Sequence, residues 1–471
     1  MKKNKTVLWS LVCAVIVLAT ASQPCGAGGS ERVPVNEWLI DVIDATREVG
    51  YNVSVATDAI TGDTYISYYE GVDGDLWLAR TGAPVGNCGP GNTWECQVID
   101  SAGVVGKNSS IAVGGAGPVM SLYISYHDAT NGDLKVIAGG VTRSTGAFSY
   151  SHYVVEDGDP GSGTFVGKRT SITFDADGTP RIGYQVDFGS VQAIKHAKRV
   201  APGSGNCGAA AGYTWQCDPV HLDFDIGDHI DIDVGPGGVS YIAFYTANDT
   251  NTYPMIATNV ASAALCNAST EWTCGPIRNT GNDTGEYLSL EILSGGIRSL
   301  AYRNATMESL EWTQYVGPGL GNCGPGDDSY QCEWIDDIGP ASSPSGIDME
   351  PDDDGNPVIV YQDASSGDRD LNIARPVGGL PGSGGNCGPL SPFMEFMWLC
   401  ETLDAGNINH AEAVGGLSIA MNANGEATVA YRELFGIPPD EGRLKVAMEP
   451  NSIFLDGFES GNTSRWSTTT N

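Results

Sequence analysis

The chain has 471 residues, of which 57 are Asp or Glu and 24 are Lys or Arg, so its formal net charge is −33. A surface this acidic repels phosphate backbones and anionic lipid headgroups, which excludes nucleic-acid binding as a function. The length fits either two or three average domains or one large repeat array and does not choose between them.

The first 21 residues predict a secretory signal peptide. Lys2, Lys3 and Lys5 precede an apolar segment from 7 to 18, and residues 19–21 (Ala-Thr-Ala) have the small side chains of a cleavage site. The apolar segment is shorter than the roughly 20 residues that a membrane-spanning helix needs, and no later segment reaches that length. We therefore expect residues 22–36 to form a flexible segment at the start of an exported protein that has no membrane span.

A pattern of three hairpin-linked strands recurs seven times after residue 50, and its clearest copy runs from Ser110 to Ala138. Most copies add a fourth strand that is marked by Trp-x-Cys. Four strands per unit, repeated seven times, predict an all-β fold, a seven-bladed β-propeller of four-stranded antiparallel blades that spans residues 37–450. The copies begin 57 to 72 residues apart, near Val53, Ser110, Ser171, Asp231, Ser289, Gly346 and Ser418.

Each second strand ends on an aromatic residue that lies two positions after an apolar one. Side chains two apart in a strand share a face, so the pair predicts one apolar wall that is repeated in every blade. The aromatic residues are Tyr68, Tyr126, Tyr184, Phe244, Tyr302, Tyr361 and Tyr431.

The two ends of the repeat array predict how the ring closes. The last copy stops after its third strand, from Leu444 to Ala447, and has no Trp-x-Cys strand after it. The missing strand is found at the other end, where the segment from Trp38 to Asp44 matches that from Trp94 to Asp100. An N-terminal strand that completes the last blade would leave no open edge in the ring.

Ten cysteines form five local pairs, and a repeat carries either both members of a pair or neither. This joint presence or absence predicts five disulfides between the third and fourth strands of their blades. A metal site is the less favoured reading, because the spacings of 8 to 13 residues lack the close Cys pairs of zinc sites. The predicted pairs are Cys88–Cys96, Cys207–Cys217, Cys266–Cys274, Cys323–Cys332 and Cys387–Cys400.

Two stretches carry a resemblance to known proteins. Residues 66–70 (ISYYE) and 124–128 (ISYHD) resemble the ISYYD-type repeats of bacterial secreted propellers, and this likeness covers nearly the whole mature chain. Residues 451–471 form a tail outside the ring, and its DGFESG box followed by Trp466 resembles the C-terminal tail of some exported bacterial proteins. The resemblance implies the fold and a bacterial protein that is secreted or at the cell surface, and implies no activity.

The first strands should line the central channel, and their third positions depart from the repeat. These positions hold Asp233, Glu291 and Asp348 in three consecutive copies and small or neutral residues in the others, and Asp231 adds a carboxylate in the same strand as Asp233. We predict that Asp231, Asp233, Glu291 and Asp348 form a ligand-binding arc. Because hard cations take carboxylate oxygens, Asp233, Glu291 and Asp348 are also candidate ligands of Ca²⁺, the only cofactor that the sequence suggests. The alternative is a hydrated acidic wall.

Other motifs favour structural roles. His221, Asp223 and Asp225 would share one face of an extended segment, as metal ligands or as a polar edge strand. The Asp-rich segments 175–178 and 352–355 occupy the first hairpin turn of their repeats and lack the full ligand series of a calcium loop. Nucleophile-elbow and zinc-protease motifs are absent from the sequence. Arg303 and Arg432 occupy matching positions after the aromatic residue, without the third arginine that a sialidase-like site would need.

The sequence therefore predicts a monomeric, extracellular binding or scaffold module for a glycan or protein ligand. The alternative is a carbohydrate-active enzyme, a glycoside hydrolase or lyase, that uses the channel carboxylates.

Overall fold

The computed structural model describes residues 38–450 except 47, 209–213, 224–225, 249–250, 261, 263, 270, 279–280, 325–326, 341–345, 366–368, 406–415 and 436–440. The predicted signal peptide, the segment 22–36 and the tail 451–471 lie outside the described residues. In the described part of the chain, no helix has the length and apolar character needed to cross a bilayer.

The described strands form seven small antiparallel sheets arranged as the seven blades of a β-propeller, which confirms the predicted fold. Blade 1 contains β2 (Tyr51–Thr57), β3 (Thr64–Tyr69), β4 (Leu76–Arg80) and β5 (Glu95–Asp100), with a short 3₁₀ helix (Pro90–Asn92) before β5. Blade 2 contains β6 (Val105–Gly114), β7 (Val119–Asp128), β8 (Asp133–Thr142) and β9 (Ala147–Glu156). Blade 3 contains β10 (Phe165–Phe174), β11 (Pro180–Asp187), β12 (Gln192–Arg199) and β13 (Trp215–Asp223).

The remaining four blades follow the same order, and the last borrows its fourth strand. Blade 4 contains β14 (Ile226–Gly235), β15 (Val239–Asn248), β16 (Asn251–Thr258) and β17 (Thr273–Pro276). Blade 5 contains β18 (Thr284–Leu293), β19 (Ile297–Asn304), β20 (Ser309–Tyr315) and β21 (Tyr330–Asp337). Blade 6 contains β22 (Ile347–Pro351), β23 (Pro357–Asp363), β24 (Asp370–Pro376), β25 (Cys387–Leu390) and β26 (Phe396–Asp404). Blade 7 contains β27 (Leu417–Met421), β28 (Ala427–Phe435), β29 (Glu441–Met448) and, from the N-terminus, β1 (Leu39–Asp44).

The ring closes as the sequence predicts. Strand β1 pairs antiparallel with β29, so that Leu39 lies opposite Met448 and Asp44 lies opposite Leu444. Trp38 packs against the apolar cluster that contains Tyr431. The N-terminal strand β1 therefore serves as the fourth strand of blade 7.

Blade 6 differs from the other blades in having a fifth, short strand. In the other disulfide-bearing blades the same place holds only a single isolated bridge, such as Cys88 with Trp94 or Cys323 with Tyr330. The disulfide loop of blade 6 is the longest of the five, with a separation of 13 residues, and the bridge is extended there into β25. All five predicted disulfides are present, with sequence separations of 8 to 13 residues.

The core is a series of apolar clusters, most of which join neighbouring blades. One cluster, for example, joins Tyr65 and Ile99 of blade 1 to Val105 and Ile124 of blade 2. The seven aromatic residues at the ends of the second strands are buried, with exposed fractions of 0 to 4%. The predicted apolar wall is therefore the packing surface between blades.

Five of these aromatic residues also carry a polar contact that links two blades. Each tyrosine hydroxyl donates a hydrogen bond to an acidic residue of the fourth strand in the preceding blade, which is the last residue of that strand or, for Asp336, the one before it. A buried hydroxyl needs such a partner, and the carboxylate supplies it at these five interfaces between blades. The pairs are Tyr68 with Asp44, Tyr126 with Asp100, Tyr184 with Glu156, Tyr361 with Asp336 and Tyr431 with Asp404.

The first strands of the blades lie next to one another around the central channel. Successive strands of a blade run in opposite directions, so after four strands the chain is back at the face where the blade began. All first strands therefore begin at the same face of the ring, which we term the entry face. The fourth-to-first connections lie at this face, and the disulfide-bearing third-to-fourth connections lie at the opposite face. Each first strand therefore runs along the channel wall from the entry face to the opposite face, where the disulfides lie.

Candidate functional site

The middle of the channel is a cavity of about 300 Å³ that is lined by the first strands. It contains all four acidic residues predicted from the sequence, Asp231, Asp233, Glu291 and Asp348. It also contains Glu350, which the sequence analysis did not select. The structure therefore brings the predicted residues to one cavity, and their roles differ with their depth in the channel.

Seven side chains, one from each first strand, form a closed circle of hydrogen bonds that we term the Ser/Asp ring. Each side chain accepts a hydrogen bond from the backbone N–H of the first strand in the following blade, at distances from 2.8 to 3.4 Å. The circle ties every blade to its neighbour and the seventh blade to the first. Given acceptor first, the pairs are Ser54 with Ile111, Ser110 with Ile172, Ser171 with Ile232, Asp231 with Leu290, Ser289 with Met349, Asp348 with Ile419 and Ser418 with Val55.

The Ser/Asp ring corrects the sequence alignment of blade 6. Asp348 was aligned with Asp233 and Glu291, but its hydrogen bond to the next blade places it level with Asp231. Pairing with the second strand agrees, because Met349 lies opposite Ile359 in the position that Ile232 holds opposite Ile242. The sequence was misleading here because residues two apart in a strand share a face, so Ile347 and Met349 fit the apolar position equally well.

Asp233, Glu291 and Glu350 form a second set, which we term the acidic arc. Each lies two residues after the Ser/Asp ring residue of its own strand and is therefore further from the entry face. Asp233 accepts hydrogen bonds from the backbone N–H groups of Val234 and Ile292, at 2.7 and 2.8 Å. Enclosure in the channel wall raises the pKa of all three carboxyls. For Glu291 the neighbouring charge of Glu350 raises the pKa further.

The enclosed carboxyls of the Ser/Asp ring are shifted in the same direction. Burial raises the pKa of Asp231 to about 7, against the hydrogen bonds that it accepts, and burial also raises the pKa of Asp348. The Asp231 carboxyl is therefore partly protonated near neutral pH, because the charged form is costly in an enclosed site beside like charges. The channel is less negative than its composition suggests.

The geometry of a metal site is not found among the channel acids. Within the described residues, one group of three possible ligands has its atoms within 4.8 Å of one another, namely His221, Cys266 and Cys274. Both of those cysteines are in a disulfide, so their sulfurs are not available as thiolate ligands. The assignment of Asp233, Glu291 and Asp348 to Ca²⁺ stays a prediction. Of the other proposed ligands near His221, Asp225 lies outside the described residues.

Where the channel opens at the entry face, side chains two residues before the Ser/Asp ring form a second cavity, the mouth pocket, of about 170 Å³. Its principal polar residues come from five consecutive blades. They are Asn52, Asn108, Arg169, His229 and Tyr287.

The backbone at the mouth pocket is bent by β-bulges. Pairing of the first and second strands shifts register just before the Ser/Asp ring in blades 1 to 5. At these bulges Asn52, Asn108 and Tyr287 have positive φ angles of 48°, 51° and 51°. Asn tolerates this conformation, but a bulky Tyr adopts it only under strain. Strain of this kind concentrates at sites that hold a side chain in a required position.

Hydrogen bonds fix the polar half of the mouth pocket. The Asn108 Oδ1 atom accepts hydrogen bonds from Asn52 Nδ2 at 3.0 Å and from Arg169 Nη1 at 2.6 Å. The Asn108 amide in turn donates to the backbone carbonyl of Lys168 at 2.5 Å. These three side chains therefore present a guanidinium and carboxamides in one defined arrangement.

The other half of the mouth pocket is aromatic. The rings of His229 and Tyr287 contact each other with centroids 4.3 Å apart and planes inclined by 47°. Burial, with a smaller contribution from the charge of Arg169, lowers the pKa of His229 to about 3, so its imidazole is neutral at physiological pH. None of the described residues that line the mouth pocket is an Asp or Glu. This pocket is thus chemically distinct from the acidic channel below it.

Sequence reasoning missed the mouth pocket, although a signal was present. The candidate ligands that it named near this position were His221, Asp223 and Asp225, and His229 was not among them. Had the repeats been aligned on the Ser/Asp ring, the position two residues earlier would have stood out, because it holds polar and aromatic residues in five copies and glycine in two. The column is Asn52, Asn108, Arg169, His229, Tyr287, Gly346 and Gly416.

Comparison with known proteins assigns the chain to no family. No protein-family model matches the chain, and no curated protein matches it. Similar solved structures include a Dyadobacter fermentans protein of unknown function, at 9% identity over 73% of this chain and 93% of that one, with a TM-score of 0.41. The polysaccharide lyase Uly1 has 10% identity over 84% and 90%, with a TM-score of 0.44. An intramolecular trans-sialidase from Ruminococcus gnavus has 10% identity over 88% and 94%, with a TM-score of 0.34.

Proposed function

We propose that this protein is an extracellular glycan-binding propeller that holds a saccharide in its mouth pocket. The observation that carries the proposal is the composition of that pocket. A guanidinium, two carboxamides, a neutral imidazole and a tyrosine ring converge there, in a protein with more than twice as many acidic as basic residues. A concave site with a few fixed polar groups is the usual form of a small-ligand site.

The two halves of the pocket suit the two surfaces of a sugar ring. Hydroxyl groups both donate and accept hydrogen bonds, and Asn52, Asn108 and Arg169 offer donors and acceptors in fixed positions. The faces of a sugar ring carry C–H groups, which pack on flat aromatic surfaces such as those of Tyr287 and His229. The neutral state of His229 also allows one ring nitrogen to accept a hydrogen bond from a hydroxyl.

The proposed location outside the cell is supported by the disulfides. Five of them are present in the described chain, and disulfides form and persist in oxidising environments. An exported, monomeric binding module from a bacterium remains our proposal for the biological setting.

A glycan array tests this function directly. The wild-type protein should bind a defined class of oligosaccharides, and Arg169→Ala and Tyr287→Ala should each weaken binding about tenfold or more, as the loss of a central contact in a pocket typically does. The exposed Tyr150, which lies outside the pocket, provides the control variant Tyr150→Ala. Absence of binding to every glycan, or equal binding by all variants, would reject the proposal.

A second candidate function is glycoside cleavage in the channel. It is favoured by Glu291 and Glu350, whose raised pKa values suit a carboxylic acid that donates a proton to a leaving group. Asp231, Asp233 and Asp348 are less suitable, because each accepts backbone hydrogen bonds between blades. Release of product from a polysaccharide that disappears in Glu291→Gln, while Arg169→Ala changes only the affinity, would support this candidate.

A further inference from the structure

The disulfide of blade 4 is held differently from the other four. In those four blades, the asparagine before the first cysteine accepts a 2.7 Å hydrogen bond from the backbone N–H of the second cysteine. The amide of the same asparagine donates to the carbonyl of that cysteine at 2.8 to 3.0 Å. In blade 4 the residue before Cys266 is Leu265, which has no polar side chain. The four pairs are Asn87 with Cys96, Asn206 with Cys217, Asn322 with Cys332 and Asn386 with Cys400.

The disulfide loop of blade 4 is tied to the neighbouring blade instead. The Asn267 Oδ1 atom accepts a 2.8 Å hydrogen bond from the backbone N–H of Leu222, and the Asn267 amide donates to the Leu222 carbonyl at 2.6 Å. Leu222 belongs to β13, the fourth strand of blade 3. Neither hydrogen bond involves a sulfur atom. The contact between this part of β13 and the loop therefore does not depend on the disulfide.

The residue before Leu222 is His221, and its side chain contacts the disulfide. The Nδ1 atom of His221 lies 3.8 Å from the Sγ atom of Cys274. In blades 1 and 3 the apolar clusters around the disulfide include Ile43 and Val155 from the fourth strand of the preceding blade. An imidazole beside the disulfide of blade 4 is a departure from this apolar packing.

The three side chains have the geometry of zinc ligands. The Nδ1 atom of His221 and the sulfurs of Cys266 and Cys274 all lie within 4.8 Å of one another. Tetrahedral zinc with bonds of about 2.0 to 2.3 Å keeps its ligand atoms roughly 3.5 to 3.8 Å apart. The distance from His221 to Cys274 already fits this range, and the two sulfurs need only move apart once the bond between them is broken.

We propose that reduction of the Cys266–Cys274 disulfide creates a zinc site, in which His221 and the two cysteine thiolates bind the ion. Two molecules of a thiol reductant supply two electrons and two protons, form one disulfide between themselves and leave both cysteines as thiols. Zn²⁺ then displaces the two thiol protons, which pass to solvent. Reoxidation by a disulfide reverses the exchange and releases the ion.

The donor set favours zinc over harder cations. Thiolate sulfur and imidazole nitrogen are the ligands that zinc prefers, and three protein ligands leave the fourth position to a water molecule. The ion replaces the covalent link within blade 4 and adds a link to blade 3, which supplies His221. The spacing of the cysteines alone does not reveal this site, because the third ligand comes from another repeat.

Zinc titration of the full-length protein tests the site. The protein is reduced, freed of reductant without air, and titrated with Zn²⁺ against a coloured zinc chelator. One equivalent should bind to the reduced protein and none with comparable affinity to the oxidised protein. Co²⁺ in place of Zn²⁺ should give the absorption bands of tetrahedral thiolate coordination.

His221→Phe is the decisive variant. It removes one ligand but keeps an aromatic ring against Phe244, whose ring centroid lies 5.4 Å from that of His221. Zn²⁺ binding should weaken about tenfold or more, since the loss of even an outer-shell partner has an effect of this size. His221→Cys supplies a third thiolate and should recover the affinity. Melting temperatures of both oxidised variants within a few degrees of wild type show that the propeller is intact.

The matched controls are two cysteine variants. Cys274→Ser should abolish the bound equivalent. Cys323→Ser should leave it unchanged, because the Cys323–Cys332 pair has no third ligand of this kind among the described residues. A second measurement reports on the folded state alone: Zn²⁺ should raise the melting temperature of the reduced wild type and should not raise that of reduced His221→Phe.

Two results would overturn the assignment. One is a reduced protein that binds no more Zn²⁺ than the oxidised protein, or a His221→Phe variant that binds it as tightly as wild type. The other is loss of the bound equivalent in Cys323→Ser, which would show that thiols elsewhere in the reduced chain hold the ion. Neither result bears on glycan binding, because the mouth pocket contains none of these residues.

Discussion

The hydroxyl oxygen of Ser418 accepts a 3.2 Å hydrogen bond from the backbone N–H of Val55, a residue 363 positions earlier in the chain. This contact joins the seventh blade to the first, in the same way that Asp348 and Ser54 join their own blades to the next. The ring is thus closed twice, by β1 on the outside of blade 7 and by the Ser/Asp ring at the channel. A substitution or deletion that disrupts either closure should therefore destabilise the whole propeller.

Deletion of residues 31–45 should destabilise the entire propeller. The deletion removes β1, leaves the backbone groups of β29 unpaired and removes the Asp44 partner of the Tyr68 hydroxyl. We expect a single thermal transition at a markedly lower temperature and a tendency to associate through the exposed edge. Calorimetry and light scattering measure these two effects. A truncated monomer that melts with the full-length protein would contradict the closure.

Tyr126→Phe tests the tyrosine contacts between blades. The substitution removes a 2.6 Å hydrogen bond to Asp100, whose carboxylate remains paired with Lys135 at 2.6 Å. Loss of one buried hydrogen bond to a charged group should lower the free energy of unfolding by about 1.5–3 kcal/mol. Denaturant titration measures this loss. The control Tyr150→Phe changes a partly exposed hydroxyl and should have little effect, and equal effects of the two variants would refute a specific role for the contact.

The acidic arc should make the protein less stable as the pH rises. The folded-state pKa of Glu291 lies well above its ordinary value of 4.5. The folded state therefore binds protons more tightly than the unfolded state. The stability that the protonated Glu291 carboxyl contributes is fully present below pH 4.5 and is lost as the pH rises through the folded-state pKa. Glu291→Gln removes this dependence and should raise the melting temperature at pH 8, with little change near pH 4.

Melting curves of wild type and Glu291→Gln between pH 4 and 8 measure this difference. Asp354→Asn, which removes an exposed carboxyl from a hairpin turn far from the channel lining, is the matched control. A Glu291→Gln variant that is less stable than wild type at pH 8 would show that the carboxylate is favourably bound in the folded state, as a bound cation would require.

Tyr287→Asn separates the stability of the mouth pocket from its function. The residue has a φ of 51°, which Asn adopts more readily than Tyr, and Asn52 and Asn108 hold comparable conformations in blades 1 and 2. Relief of strain should keep the free energy of unfolding unchanged or raise it by up to about 1 kcal/mol. Affinity for the glycan should fall, because the aromatic surface is lost. Denaturant titration and the glycan array measure these effects. A large loss of stability would show that Tyr287 serves packing instead.

The hydrogen bonds between tyrosines and acids also show which contacts can be predicted from the sequence of one repeat and which cannot. The recurring Tyr68, Tyr126 and Tyr431 positions were visible in the sequence as an apolar wall, and the structure confirms their burial. The acids at the ends of the fourth strands were equally visible, but they belong to the preceding repeat. Their partnership could not be read from one repeat because it crosses the boundary between two.

The sequence by itself determined the seven blades, the closing strand and the five disulfides, because each depends on patterns that recur within a repeat or on the one copy that lacks a strand. Only the tertiary structure decided which residues meet at the channel. The bulges at Asn52, Asn108 and Tyr287 aim side chains into the mouth pocket, and the hydrogen bond from Asp348 to Ile419 sets the register of blade 6. A shift of two residues leaves the alternating pattern of a strand unchanged, so only contacts between blades can fix the height of each side chain along the channel.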